Sequence, residues 1–298
     1  MIRALGSRWL QAVAHWLNQP RHLLILWLTA VLVTLQGLDE LYLDQLPEKL
    51  LAALMLSVPQ MLTSPIAWCG LAGLMVGSDI FFWWRLVNHE YLITYWVLVC
   101  AIAAFNQFSL KILAWNARLL IGLCFLFATV WKFIGGEYLD GSFLQLTFLA
   151  DPRLAMGATW LGGIAETALQ DNYSRLLEMQ TTAALGPTPL NSSPLLSAMS
   201  VVLSYWTILI EGITAIAFLS PWPSGLFRHR DVCLLLFVIT TYSVIPVFSF
   251  AAILLLMGLA QCPTRETFKS ALYLNLFVLM PLWLPLPQAV FYLLRQLT

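Results

Sequence analysis

Two cations lie along a single apolar stretch of the chain, residues 115–141. Arg118 comes near its beginning and Lys132 near its end, just before the run breaks at Gly135–Gly136. An ionisable side chain at membrane depth is costly, so it indicates a functional site by default. Charges close to a helix end can instead extend to the headgroups and do no chemistry. The position of the two cations leaves both interpretations open.

The helices that carry these residues must be membrane-embedded, because the composition excludes an ordinary soluble domain. Hydrophobic residues make up 60% of the 298 and charged residues only 10%, whereas a soluble domain carries about 25% charged residues. We therefore predict an all-α, polytopic transmembrane helix bundle in a single membrane domain, 1–298. Basic and acidic residues balance at 15 each, so nothing indicates a nucleic-acid partner.

Cysteine and histidine patterns predict no metal site. The five cysteines are far apart and show no C-x-x-C spacing, and the four histidines have no H-x-x-H partner. Free, buried thiols are the expected state.

The chain is expected to begin with an interfacial element. Residues 1–20 place apolar side chains at helical spacing with Arg3 and Arg8 off that stripe, a pattern typical of an amphipathic helix lying on the membrane. Spans of about 17–25 apolar residues then follow, about 7–9 in total. The predicted segments are 22–38, 49–63, 65–86, 91–109, 117–135, 197–219, 231–260 and 269–296.

These spans fall into two helix groups, 22–135 and 197–298, separated by a polar extramembrane loop region over 136–196. Within that region, 153–180 is apolar enough to lie on the membrane or on the bundle as a helix. Basic residues near the start and at Arg228-His229-Arg230 place the N-terminus in the cytoplasm. We expect an integral protein of a bacterial cytoplasmic, or thylakoid, membrane.

The string Arg118…Lys132…Glu137-Tyr138-Leu139-Asp140-Gly141 resembles the signature of the horizontally transferred transmembrane (HTTM) domain, which is shared with vitamin K-dependent gamma-carboxylases. There an Arg opens a helix that ends in Lys, and an aromatic–Leu–acid–Gly turn follows. Here Tyr138 stands where Trp is usual. Glu211, in SYWTILIEGITAIAFLSPW, resembles the acidic residue of the family in the helix before a basic loop.

The resemblance implies a role for each matching residue. Lys132 matches the lysine thought to deprotonate vitamin K hydroquinone, so a lipid-soluble quinone or hydroquinone is the implied ligand. A lysine in a low-dielectric pocket suits general-base work. Alternatively, Glu211 or Asp140 pairs with Lys132 or Arg118 and serves only to join helices.

The chain also departs from the carboxylases. The helix after the basic cluster lacks the histidine of the family, and Tyr242 and two threonines are among its few polar groups. No large soluble domain follows it in this sequence, so a stand-alone, SdpB-type member fits better than a glutamyl carboxylase. Two functions stay open: a quinone-binding membrane enzyme or redox partner, and a non-catalytic subunit or maturation factor for a membrane or secreted protein or peptide.

Overall fold

The computed structural model describes residues 20–36, 43–182, 189–221, 225–245 and 247–282. Over these residues the regular structure is entirely helical, which confirms the all-α prediction. The predicted amphipathic helix over 1–20 lies outside the described residues except for Pro20, as does the end of the predicted 269–296 segment.

Six α-helices of the described chain precede the polar region. They are α1 (Arg21–Leu35), α2 (Leu46–Ser57), α3 (Pro59–Leu62), α4 (Pro65–Phe81), α5 (Asn88–Ala104) and α6 (Leu110–Gly135).

Eight more α-helices follow in the described chain. They are α7 (Ser142–Ala150), α8 (Ala155–Trp160), α9 (Glu166–Thr182), α10 (Pro194–Leu219), α11 (Gly225–Arg228), α12 (Arg230–Tyr242), α13 (Phe248–Gln261) and α14 (Thr267–Leu279).

Two of the described helices are long and apolar enough to cross a membrane. α6 and α10 each have 26 residues and a mean hydropathy of 1.8. At 1.5 Å per residue each is about 39 Å long, more than the hydrocarbon core of about 30 Å. Four shorter apolar helices, α1, α4, α13 and α14, have between 13 and 17 residues. The larger predicted number of spans is therefore not established by helix length.

Three predicted continuous segments are divided in the structure. The 231–260 segment forms α12 and α13, and the break between Tyr242 and Phe248 contains Pro246, which lacks a backbone N–H donor. The 49–63 segment divides before Pro59 for the same reason. The 153–180 helix was wrong as a single element, because α8 ends at Trp160 and α9 begins at Glu166.

α13 forms the centre of the bundle. Every residue from Ala251 to Gln261 is buried, and the helix packs against α1, α5, α6, α12 and α14. A helix that is apolar on all sides belongs in a protein core or in lipid, and here the protein encloses it. α13 is therefore the central helix against which these five helices pack.

Among the described helices, α6 and α10 make the most extensive contact, and they run antiparallel. Near one end of the contact, a Cβ on Gly122 would stand 2.6 Å from the Leu219 side chain. Further along, Gly212 lies opposite Thr129. Small residues let the two backbones approach closely, as is common between membrane helices. The same register brings Lys132 opposite Glu211.

The region 136–196, predicted as a polar loop, is largely helical with its own apolar core. Phe148, Leu154, Ile164 and Leu196 are among its buried members, and Val244 and Ile245 pack against it from the far side. The region thus folds onto the N-terminal half of α10 rather than extending as a loop.

Candidate functional site

A buried ion pair joins the two longest helices. Lys132 Nζ lies 2.6 Å from Glu211 Oε2, and the two side chains are only 10% and 7% exposed. Lys132 sits in the last turn of α6, whereas Glu211 lies well within α10. The antiparallel packing of the helices puts these two residues, 79 positions apart in sequence, in direct contact.

The ion pair faces a cavity of about 1000 Å³ between α5, α6 and the turn after α6. Its walls are mainly apolar and aromatic. Besides the pair, they include Tyr91, Tyr95, Cys124, Phe127, Trp131, Tyr138, Phe143 and Phe250. Small-molecule sites typically have a volume of about 300–1,000 Å³ and an apolar lining with a few polar groups. The cavity has the size and chemistry to take a ring-containing, lipid-soluble molecule.

The turn after α6 closes one side of the cavity. Gly136 ends α6 with a φ of 75°, a conformation that glycine adopts without strain. Tyr138 then stacks on Phe143, with ring centroids 4.5 Å apart, and its ring lies 4.8 Å from Lys132 Nζ. Burial raises the pKa of the Tyr138 hydroxyl, so this group stays protonated and available as a hydrogen-bond donor. Glu137 also lines the cavity but is exposed.

Asp140 and Gly141 shape this turn rather than line the cavity. Asp140 Oδ1 accepts a hydrogen bond from Ser142 N at 2.9 Å, and hydrogen bonds from Ser142 hold the pKa of this exposed carboxyl below its usual range. Gly141 has a φ of 79°, and a Cβ there would stand 2.8 Å from the backbone N of Val201. Gly141 therefore sets the close contact of the turn with α10, whereas Asp140 holds the start of α7.

Tyr242 lies behind the ion pair, in the interior of the bundle. Its side chain is 2% exposed, and its hydroxyl has no hydrogen-bond partner among the described residues. The ring packs edge-on against Phe237 and Phe250, and Phe250 lines the cavity. Tyr242 is thus an unsatisfied polar group one aromatic layer from the site.

Arg118 is not part of this arrangement. It precedes Lys132 by fourteen positions on the same helix, so the two lie about 21 Å apart along its axis. Its guanidinium instead stands 5.2 Å from the centre of the Phe227 ring. Of the predicted site residues, the structure brings together Lys132, Glu211, Glu137 and Tyr138, with Tyr242 behind them.

Sequence reasoning missed the wall of the cavity formed by α5. Asn88, Tyr91, Leu92 and Tyr95 line the cavity from that helix. Their i, i+3, i+4, i+7 spacing marks one helix face, and a polar–aromatic stripe at the start of an otherwise apolar span was the available signal. Cys124 and Phe250 carried no such signal, because only the tertiary packing brings them to the cavity.

No group of three or more His, Cys, Asp or Glu side chains in the described part of the chain is arranged to hold a metal ion. The cysteines at 69, 100, 124, 233 and 262 are free thiols. Comparison of the chain with protein-family models, curated proteins and solved structures gives no match. The HTTM resemblance stays a prediction that rests on the residues quoted above.

Proposed function

We propose that this chain is an HTTM-type integral membrane protein whose cavity binds a lipid-soluble quinone or quinol, with Lys132 as ligand or base. In this proposal the shorter apolar helices cross or enter a bacterial cytoplasmic or thylakoid membrane, giving about 7–9 membrane segments with the N-terminus in the cytoplasm. The observation that carries the proposal is the apolar cavity of about 1000 Å³ that ends at a buried ion pair.

A quinone head group matches this site in shape and polarity. Its ring suits the aromatic walls, and its oxygens need a polar partner at one end. An ammonium group has three N–H donors, and one of those on Lys132 points to Glu211. A second can donate to a quinone oxygen, since the cavity reaches Lys132. The Tyr138 hydroxyl is a further donor at the same end.

Base chemistry at this site would use both members of the pair. Lys132 must be neutral before it can accept a proton, and Glu211, at 2.6 Å, is positioned to hold the proton that the ammonium releases. The neutral amine then takes the hydroxyl proton of a quinol, which leaves a quinolate beside the new ammonium. An anionic quinolate next to a cation in a low-dielectric site is strongly favoured over one in an apolar pocket alone.

The test is ligand retention and binding by the purified full chain in mild detergent. Co-purifying lipids are extracted and analysed by mass spectrometry, and decylubiquinone and a short-chain menaquinone are titrated by quenching of tryptophan fluorescence. Ala128→Trp fills the cavity while keeping both charges, because Ala128 lines its wall. Lys132→Met removes the ammonium group that is proposed to bind the quinone oxygen but keeps a side chain of similar volume. We expect saturable quenching by wild type and its loss in both variants.

Lys111→Met is the matched control, because Lys111 is an exposed cation at the other end of the same helix. It should bind the quinones as wild type does. Equal quenching of wild type and Ala128→Trp would exclude the cavity as the site. Loss of binding in Lys111→Met as well would show that the quenching reflects general partitioning into the micelle.

The second candidate is a non-catalytic membrane subunit or maturation factor for a membrane or secreted partner. One observation favours it: the ion pair between α6 and α10 is almost fully enclosed, so it can serve to join helices without any ligand. The two functions differ in one measurable respect. A scaffold retains its partner in Ala128→Trp, whereas a quinone protein loses its ligand in that variant.

A further inference from the structure

The opposite end of the bundle from the cavity carries an excess of positive charge. Five cations and two carboxylates lie there: Arg118 and Arg230 share one aromatic ring, Lys269 contacts both carboxylates, Arg21 donates to Ser270 beside Lys269, and Arg228 precedes Arg230 by two positions. The cations are Arg21, Arg118, Arg228, Arg230 and Lys269, and the carboxylates are Asp231 and Glu266. We call this cluster the basic end.

The two carboxylates of the basic end are already engaged. Lys269 Nζ lies 3.0 Å from Asp231 Oδ2 and 2.5 Å from Glu266 Oε2. Asp231 Oδ1 also accepts hydrogen bonds from Gln261 Nε2 at 2.5 Å and from the Tyr273 hydroxyl at 2.9 Å. These bonds engage both oxygens of the buried Asp231 carboxylate, and within the described residues neither acid forms a salt bridge with a guanidinium group of the cluster.

Arg118 is a cation of the basic end that has neither an anion nor a hydrogen-bond acceptor among the described residues. Among the described residues no carboxylate, carbonyl or hydroxyl accepts a hydrogen bond from it, and its contact is with the Phe227 ring at 5.2 Å. Arg230 lies against the same ring at 3.8 Å, and its Nε donates to the neutral oxygen of Gln261 at 2.6 Å. Two guanidinium groups therefore share one aromatic ring.

An anion is the missing component of this geometry. Arg118 is half-buried in a helix of membrane-spanning length, where an uncompensated charge is costly. The nearby Arg230 adds like-charge repulsion. Arg228 and His229 follow Phe227 directly and are exposed, so the positive surface continues towards solvent. A guanidinium presents its donors in a planar fork that matches phosphate oxygens.

We propose that Arg118, with Arg228 and Arg230 around Phe227, forms a phosphate-binding site that takes the headgroup of an anionic phospholipid. The half-buried position of Arg118 favours a lipid as the source, because a lipid phosphate stays at the depth of the helix ends while its acyl chains cover apolar side chains. Leu226, exposed beside Phe227, supplies apolar surface at this position. The site is separate from the cavity and does not depend on what the cavity binds.

The test compares lipids on the delipidated full chain in a neutral detergent. Phosphatidylglycerol, phosphatidylcholine and inorganic phosphate are titrated while the thermal unfolding midpoint is measured, and bound lipid is counted by native mass spectrometry. We expect phosphatidylglycerol to raise the midpoint and to bind in preference to phosphatidylcholine. Arg118→Gln should weaken phosphatidylglycerol binding about tenfold, the loss expected for a charge-assisted hydrogen bond.

Two further variants keep the result interpretable. Arg228→Gln changes an exposed side chain and leaves the bundle intact, and it should also weaken phosphatidylglycerol binding. Lys111→Gln removes a cation of the same helix outside the cluster and should change binding less than about twofold, as expected for an exposed, screened charge. Equal losses in Arg118→Gln and Lys111→Gln, or equal binding of the two lipids, would overturn the proposal. Full stabilisation by inorganic phosphate alone would overturn the assignment to a lipid.

Discussion

Lys132 and Arg118 are two cations on the same helix with opposite surroundings. Lys132 is enclosed and pairs with Glu211 at 2.6 Å, beside a large cavity. Arg118 is half-buried, lies 5.2 Å from the centre of the Phe227 ring, forms no hydrogen bond or salt bridge within the described residues, and lies among other cations. The first charge is compensated within the protein. The charge of Arg118 is not compensated by any described residue, which is why we propose an anionic lipid as its partner.

This difference shows that a charge in an apolar helix has to be judged by its partners rather than by its position. Both residues lie within the same apolar stretch, and both would be expensive if isolated there. Removal of Lys132 leaves a buried carboxylate alone, whereas removal of Arg118 relieves repulsion with Arg230. Mutation of Lys132 and mutation of Arg118 should therefore change the stability of the protein in different directions.

The largest effect is expected from breaking the buried pair. Lys132→Met or Glu211→Leu alone should destabilise the protein by about 3–5 kcal/mol, because each leaves an unpaired buried charge. The double variant Lys132→Met/Glu211→Leu should recover most of that loss, since two apolar side chains can replace a buried pair. Thermal and denaturant-induced unfolding in detergent measure both quantities.

An exposed ion pair provides the control for that cycle. Arg153 NH2 and Asp151 Oδ2 are 2.6 Å apart, and the Arg153 side chain is 53% exposed. Arg153→Met should cost less than about 1 kcal/mol. If the Lys132 and Glu211 single variants lose no more unfolding free energy than Arg153→Met, the pair is not enclosed as described. Lys132 would then not differ from Arg118 in how strongly its charge is buried.

The next effect concerns the turn that positions the cavity. Gly141→Ala should destabilise the protein by about 1–3 kcal/mol, because an alanine is strained at a positive φ and its Cβ would meet the Val201 backbone. Gly135→Ala is the matched control, since a Cβ at Gly135 meets nothing within 4 Å. Unfolding midpoints of the two variants are compared directly. A Gly135→Ala protein as unstable as Gly141→Ala would contradict the close contact with α10.

The sequence predicted the helical class and the break at Gly135–Gly136, because composition and glycine conformation act locally. It also marked Lys132, Glu211 and Tyr138 as site residues. It could not predict whether Glu211 pairs with Lys132 or with Arg118. That choice depends on the register of α6 against α10, which the close approach of Gly122 to Leu219 fixes and no local pattern encodes.

The same reason explains the elements that sequence patterns misjudged. The 231–260 segment is predominantly apolar, so its periodicity gives no boundary even though Pro246 lies within it. The region 136–196 is more polar, yet it folds because a few apolar residues such as Phe148 and Leu196 meet across 48 positions of sequence. Contacts of that range follow from tertiary packing alone.

A smaller effect, of opposite sign to that at Lys132, is expected at Arg118. In neutral detergent without added lipid, Arg118→Gln should leave stability within about 1 kcal/mol of wild type or raise it, because the repulsion with Arg230 is reduced. The unfolding midpoint checks this without any ligand. A loss of several kcal/mol, similar to that of Lys132→Met, would mean that Arg118 has a protein partner and that the two cations are alike.

The smallest effect is expected from Tyr242→Phe, which removes one buried hydroxyl and nothing else. This hydroxyl has no partner among the described residues, so its removal breaks no hydrogen bond there. Its removal should therefore leave the unfolding midpoint unchanged or slightly raised, unlike the loss of either partner of the Lys132–Glu211 pair. Quinone titration of the same variant gives a second result. Unchanged quenching would restrict the ligand to the cavity side of Phe250, whereas weakened quenching with an unchanged midpoint would add Tyr242 to the groups that contact the ligand.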